Sequence, residues 1–89
     1  MDADSRLVPH PDAVLRRVGG GAVLVHLGSG HVFELNTTAA RAWELACEGL
    51  TKAGVIDRLT SEYSGPSDAI AADVSALFKL LAARGLLEA

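Results

Sequence analysis

The sequence predicts an α+β, winged-helix-like domain, a three-stranded antiparallel β-meander followed by three α-helices. Between residues 13 and 35, three short apolar-rich runs are separated by the glycine clusters "GGG" and "GSG". After Asn36 the apolar spacing changes from the two-residue period of a strand to that of a helix. The connections are short throughout, so strands and helices must pack as layers around one core.

The elements follow in order. Residues 1–11 are polar and carry Pro9 and Pro11, which cannot donate ladder hydrogen bonds, so they read as a flexible N-terminal arm, with 12–89 as the folded domain. Strands are expected at 13–18, 22–27 and 31–35, the second in the middle. Both glycine clusters suit hairpins. With "GSG" as a three-residue loop, Leu27 faces His31, Val25 faces Phe33 and Val23 faces Leu35 on the core side. His26–Val32 and Leu24–Glu34 then lie on the outer face.

Asn36 is a good N-cap for the first helix, because its side chain can accept from an otherwise orphan amide one turn on. Ala39, Trp43, Ala46, Cys47 and Leu50 form its expected buried stripe, with Arg41, Glu44 and Glu48 on other faces. Gly49 stops it. Thr51 caps a second helix to about Tyr63, with Leu50 and Val55 as a hydrophobic staple and Val55, Ile56, Leu59 and Tyr63 facing inward. Ser64-Gly65 breaks that helix, and Pro66 opens a third at its first helical position, with Asp68 in the first turn. Ile70, Val74, Leu77, Phe78 and Leu81 make its core stripe, and Gly85 ends it. Beside that stripe runs a second row, Ala69, Asp73, Ala76, Leu80 and Ala83. A merely solvated face would carry Lys and Glu, so this small, semi-apolar row suggests the floor of a shallow groove.

Composition bounds the function. A chain of 89 residues holds one modest core and no deep enclosed active site of its own. Lys+Arg 8 against Asp+Glu 11 gives a net charge of −3, and no basic block marks a nucleic-acid surface. One cysteine, Cys47, excludes an internal disulfide; no leader segment or long apolar run appears, so a cytoplasmic protein without membrane contact is expected. No catalytic set or cofactor motif stands out. Cys47 on the buried stripe reads as an apolar filler. His10, His26 and His31 read as surface histidines, since the expected pairing puts His26 and His31 on opposite faces and no second metal-ligand type clusters nearby.

A three-strand meander leaves its third strand unpaired on one side, and that strand is short and carries neither Pro nor Lys. That makes it a candidate template for strand addition by a peptide.

The stretches "AVLVHLGSGHVFELNTTAARAWEL", "VIDRLTSEY" and "IAADVSALFKLLAARGLL", in this order, resemble the PqqD-like peptide chaperones, also called precursor recognition elements of ribosomally made, modified peptides. The resemblance covers residues 8–87. It implies a non-catalytic chaperone, without cofactor, that binds the leader segment of a precursor peptide and presents it to a modifying enzyme, such as a radical SAM enzyme or a leader peptidase. The product class, a quinone cofactor, a lasso peptide or another modified peptide, stays open. In the family the leader adds as an antiparallel strand beside the third strand, in a cleft with the third helix. Carried onto this chain, the strand partner is His31, Val32, Phe33, Glu34 and Leu35, and the helical wall is Asp73, Ala76, Leu77 and Leu80. Apolar leader side chains would enter between Val32 and Leu80. Gly54, where the family often has an acid completing the capping box, and the glycine-rich first turn depart from the pattern. A monomer or weak dimer is expected.

The alternative is a winged-helix DNA-binding regulator. Such a protein needs several cations on one recognition-helix face, whereas here Lys52 and Arg58 are balanced by Asp57 and Glu62, and Lys79 and Arg84 by Asp68 and Asp73.

Overall fold

The computed structural model describes residues 7–63 and 65–88. In chain order the elements are β1 (Val8–Pro9), β2 (Ala13–Val18), β3 (Gly21–His26), β4 (Val32–Leu35), α1 (Thr37–Cys47), α2 (Lys52–Tyr63), α3 (Ser67–Ala83) and β5 (Leu87–Glu88). The expected meander is present, antiparallel with β3 central, and β1 and β5 pair separately. The three helices lie on the sheet face that carries Ala22, Leu24 and Leu35.

The β3–β4 register differs from the expected one by a single residue. Val25 pairs with Val32, Leu24 with Phe33, Val23 with Glu34 and Ala22 with Leu35. Leu27 leaves the strand and joins a four-residue loop, in which the Gly30 amide donates to the His26 carbonyl and the His26 amide to that of His31. The Leu27 amide donates instead to the Asp12 carbonyl. A one-residue slip turns a strand over. β3 therefore gives Ala22 and Leu24 to the core rather than Val23 and Val25, while β4 gives Phe33 and Leu35 as expected. Because β3 is apolar on both faces, its period sets no direction, and loop length decides. Gly21 is fixed by proximity: a Cβ there would stand 2.7 Å from the Leu35 carbonyl oxygen.

The slip also corrects the histidines, for His26 and His31 now stand opposite each other in the ladder. His26 packs on His10 with ring centroids 4.8 Å apart, and His31 meets the edge of Phe33 at 6.4 Å. Among the described residues no three His, Cys, Asp or Glu side chains converge to hold a metal ion.

Residues 1–6, Ser64 and Ala89 lie outside the described residues. From Leu7 onward the expected loose arm is tied down. Leu7 is buried, Val8–Pro9 pairs with Leu87–Glu88, and the His10 amide donates to the Leu86 carbonyl. The cause is hydrophobic: Leu7, Leu86 and Leu87 all enter the core, and Pro9 is tolerated because a two-stranded edge leaves one side of each strand unpaired.

α1 is the hub, packed against β1, β3, β4, α2 and α3. Ala40, Ala42, Trp43, Leu45 and Ala46 are buried, a wider arc than the expected stripe, and the alanines let neighbours approach on several sides. Cys47 falls outside this arc and is exposed, which corrects its reading as a core filler. Partial desolvation, and then the Glu44 carboxylate one turn back, push its thiol up from the ordinary value. Both expected N-caps form: the Ala39 amide donates to the Asn36 side chain at 2.8 Å and the Gly54 amide to the Thr51 hydroxyl at 3.1 Å. Tyr63 is exposed rather than inward, because it lies in the last turn of α2, beyond the buried Val55 and Leu59. Pro66 is the N-cap of α3, one place earlier than expected.

At its other end α3 closes in a Schellman motif, with the Leu86 amide donating to Leu81 and that of Gly85 to Ala82. Gly85 takes φ 76°, a left-handed conformation that only glycine adopts cheaply. This reversal returns the chain to pair with β1.

Arg41 makes two hydrogen bonds to Glu62, of 3.0 and 2.9 Å, and pairs with Glu44 and Glu48. Arg17 of β2 also pairs with Glu44. The network clamps α1 to α2 and to the sheet. Hydrogen bonding to Arg41 holds the Glu62 carboxyl below the usual carboxylate range, and the same bond raises the Arg41 guanidinium.

Candidate functional site

β4 ends the sheet order, so one of its sides has no strand neighbour among the described residues. The bond from the His26 amide to the His31 carbonyl fixes which peptide groups face that side. In an antiparallel ladder, pairs that exchange hydrogen bonds alternate with pairs that do not. If His26–His31 is a bonded pair, so are Leu24–Phe33 and Ala22–Leu35, and the amides and carbonyls of Val32 and Glu34 point away from β3 to the free edge.

α3 runs beside this edge in the opposite direction. Near the end of β4, Asn36, Thr38 and Ala39 share a groove of about 290 Å³ with Asp73, Ala76 and Leu77 of α3. Near its start, the Arg84 guanidinium lies 5.8 Å from the centroid of the Phe33 ring. Residues 73, 76, 77, 80 and 84 recur at three- and four-residue steps and so form one stripe of the helix facing the β4 side. Leu80, between the two contacts, is 45% exposed. The exposed row Ala69, Asp73, Ala76, Leu80 and Ala83 is where its small residues placed it. The free strand edge and the exposed helix row are thus flanked by the groove and Asp73 at one end and by Arg84 at the other.

The expected site residues divide by face. Phe33 and Leu35 are on the helix side of the sheet and His31 is at the cleft's cationic end, whereas Val32 and Glu34 project from the opposite face. The expected entry between the Val32 side chain and Leu80 does not fit this register, because Phe33 and not Val32 is on the helix side of β4, so Val32 and Glu34 offer that side only main-chain groups. Asp73, Ala76 and Leu77 come together with the residues just after β4. Sequence reasoning missed Arg84 and the groove role of Asn36, Thr38 and Ala39. Arg84 was detectable, four residues beyond Leu80 on the same stripe. Asn36 was masked by its capping role.

Comparison with known proteins decides the family. The profile described as Coenzyme PQQ synthesis protein D matches residues 21–87. The chain belongs to the PqqD family. The matched stretch takes in β4, the β4–α1 junction and all of α3, so both walls of the cleft are family elements. Two solved structures are similar to this PqqD-family chain. "TbiB1 in Complex with the TbiA(beta) Leader Peptide" is 29% identical, with a TM-score of 0.79 over 90% of this chain and 93% of that one. "Lasso peptide synthetase B1 complexed with the leader peptide" is 28% identical, with a TM-score of 0.81 over 96% of this chain and 100% of that one. Among curated proteins no relative matches.

Proposed function

We propose that this PqqD-family chain binds the leader segment of a ribosomally made precursor peptide by antiparallel strand addition to the free edge of β4, and presents it to a modifying enzyme such as a leader peptidase or a radical SAM enzyme. One observation carries the reading: the outward peptide groups of Val32 and Glu34 stand beside an exposed apolar helix row, in a fold shared with two structures holding leader peptides. Main-chain hydrogen bonds would supply affinity, and pockets for alternate side chains would supply selectivity. The groove that Asn36, Thr38 and Ala39 share with Asp73, Ala76 and Leu77 supports one such pocket. The role is binding and presentation, in the cytoplasm where ribosomal precursors are made. Of the product classes, a lasso peptide is favoured by the likeness to a lasso peptide synthetase B1 complexed with the leader peptide.

The DNA-binding reading is not favoured. The net charge is −3, and α2 sets Lys52 and Arg58 against Asp57 and Glu62.

The test is calorimetric titration, into wild type and Val32→Pro, of a leader peptide that the wild type binds. Proline is tolerated at an edge whose N–H faces solvent. The variant should stay folded by circular dichroism and lose binding at least tenfold; unchanged affinity would remove the strand-addition reading.

A further inference from the structure

The sheet face away from the helices carries Val14, Val18, Val23, Val25 and Val32, and no layer covers it among the described residues. The ladder lays these side chains out in rows. Val14, Val25 and Val32 form one, and Arg16, Val23 and Glu34 the next. Val18 is 62% and Val32 57% exposed. The solvated face of an antiparallel sheet normally alternates to polar residues. Five valines there are not explained by this chain's own core, which takes Ala22, Leu24 and Leu35 from the other face.

We propose that this face packs against the same face of a second copy of the chain. Charge placement selects that occupant. Arg16 and Glu34 flank Val23 on opposite edge strands, and neither takes part in an ion pair among the described residues. A two-fold axis parallel to β3, midway between two stacked sheets, exchanges the edge strands while keeping each row opposite itself. Arg16 then faces Glu34 of the second copy, Glu34 faces its Arg16, Val14 faces its Val32, and Val23 and Val25 meet their own images. The other in-plane two-fold through this row would set Arg16 on Arg16 and Glu34 on Glu34, which like-charge repulsion disfavours. The favoured axis also brings Val18 of the second copy over a groove of about 220 Å³ beside Gly21, between Val23, Glu34 and Leu35. Contact is face to face, so the free edge of β4 stays open in both copies. Three strands of at most six residues, about 4.8 Å apart, span roughly 300 Å², well under the roughly 800 Å² per partner of a stable complex, so association is weak.

Sedimentation velocity from about 10 µM to about 1 mM tests this in a range suited to a weak dimer. The weight-average mass of the wild type should climb toward that of two chains. Arg16→Glu alone and Glu34→Arg alone should each stay monomeric while keeping wild-type circular dichroism. An equimolar mixture of these two variants should associate again, because every facing pair is then opposite in sign, and so should the double variant. A wild type that stays monomeric to the top of the range, or single variants that associate as the wild type does, would overturn the proposal.

Discussion

The Arg84 guanidinium sits over the Phe33 ring, 5.8 Å from its centroid, and so joins the C-terminus of α3 to the start of β4. This contact places a cation at one end of the cleft, while Asp73 stands at the other, eleven residues back and about 16 Å away along the helix.

The polarity of the cleft predicts the charge order of its peptide. An antiparallel strand enters at the Asp73 end and leaves at the Arg84 end. Allowing for side-chain reach, and since alternate residues share a face, a basic residue should precede an acidic one by about four positions. Arg84→Ala should weaken binding of such a peptide by about 1 kcal/mol, or roughly fivefold. Combining Asp73→Lys with Arg84→Glu should reverse the preferred order. Competition between a peptide and its charge-swapped counterpart reads the effect directly.

Leu80→Glu places a charge where an apolar side chain must be desolvated, which should cost about 2 kcal/mol of affinity. Because Leu80 is 45% exposed, thermal stability should hardly change. Asp57→Ala on α2 is the matching control and should bind normally. Glu44, on the far side of α1, is unsuitable as a control because it pairs with both Arg17 and Arg41.

Trp43→Ala deletes a side chain that is only 3% exposed at the centre of α1. The expected loss is about 3–5 kcal/mol, enough to unfold much of a domain this small. Denaturant titration checks it, and a midpoint equal to that of the wild type would refute the buried position of Trp43.

Glu62 predicts a pH dependence of defined sign. Arg41 holds its carboxyl below the usual range, so the pair's stabilisation is present above the unfolded-state value of about 4.3 and is lost as pH falls through the lowered folded-state value. Wild type should therefore melt above Glu62→Gln near neutrality, and the gap should close as pH falls below about 4. A gap that persists undiminished at low pH would contradict the ionic origin.

Much of the architecture was legible because local signals agreed. Asn36 and Thr51 cap where their side chains can reach orphan amides, and the α3 row of small residues lies exposed beside the core stripe as its spacing required. The errors share a physical cause, which is that distant contacts decide what local pattern leaves degenerate. β3 is apolar at Ala22, Val23, Leu24 and Val25 alike, so only the loop closed at His26 and His31 could set its direction. Leu7 looked like part of a polar arm, but it is buried through Leu86 and Leu87, nearly eighty residues away. The third strand and the helix row were singled out as the proposed site by their edge position and the family resemblance. Which β4 side chains share the helix side needed the register.

The central claim is that a leader peptide pairs with the free edge of β4. Residue-resolved amide hydrogen exchange by NMR, with and without a saturating leader peptide, tests it most directly. The account predicts that the amides of Val32 and Glu34 become protected on binding while that of Phe33, already directed toward β3, changes little. Saturable binding that leaves Val32 and Glu34 exchanging at their free rates would contradict it.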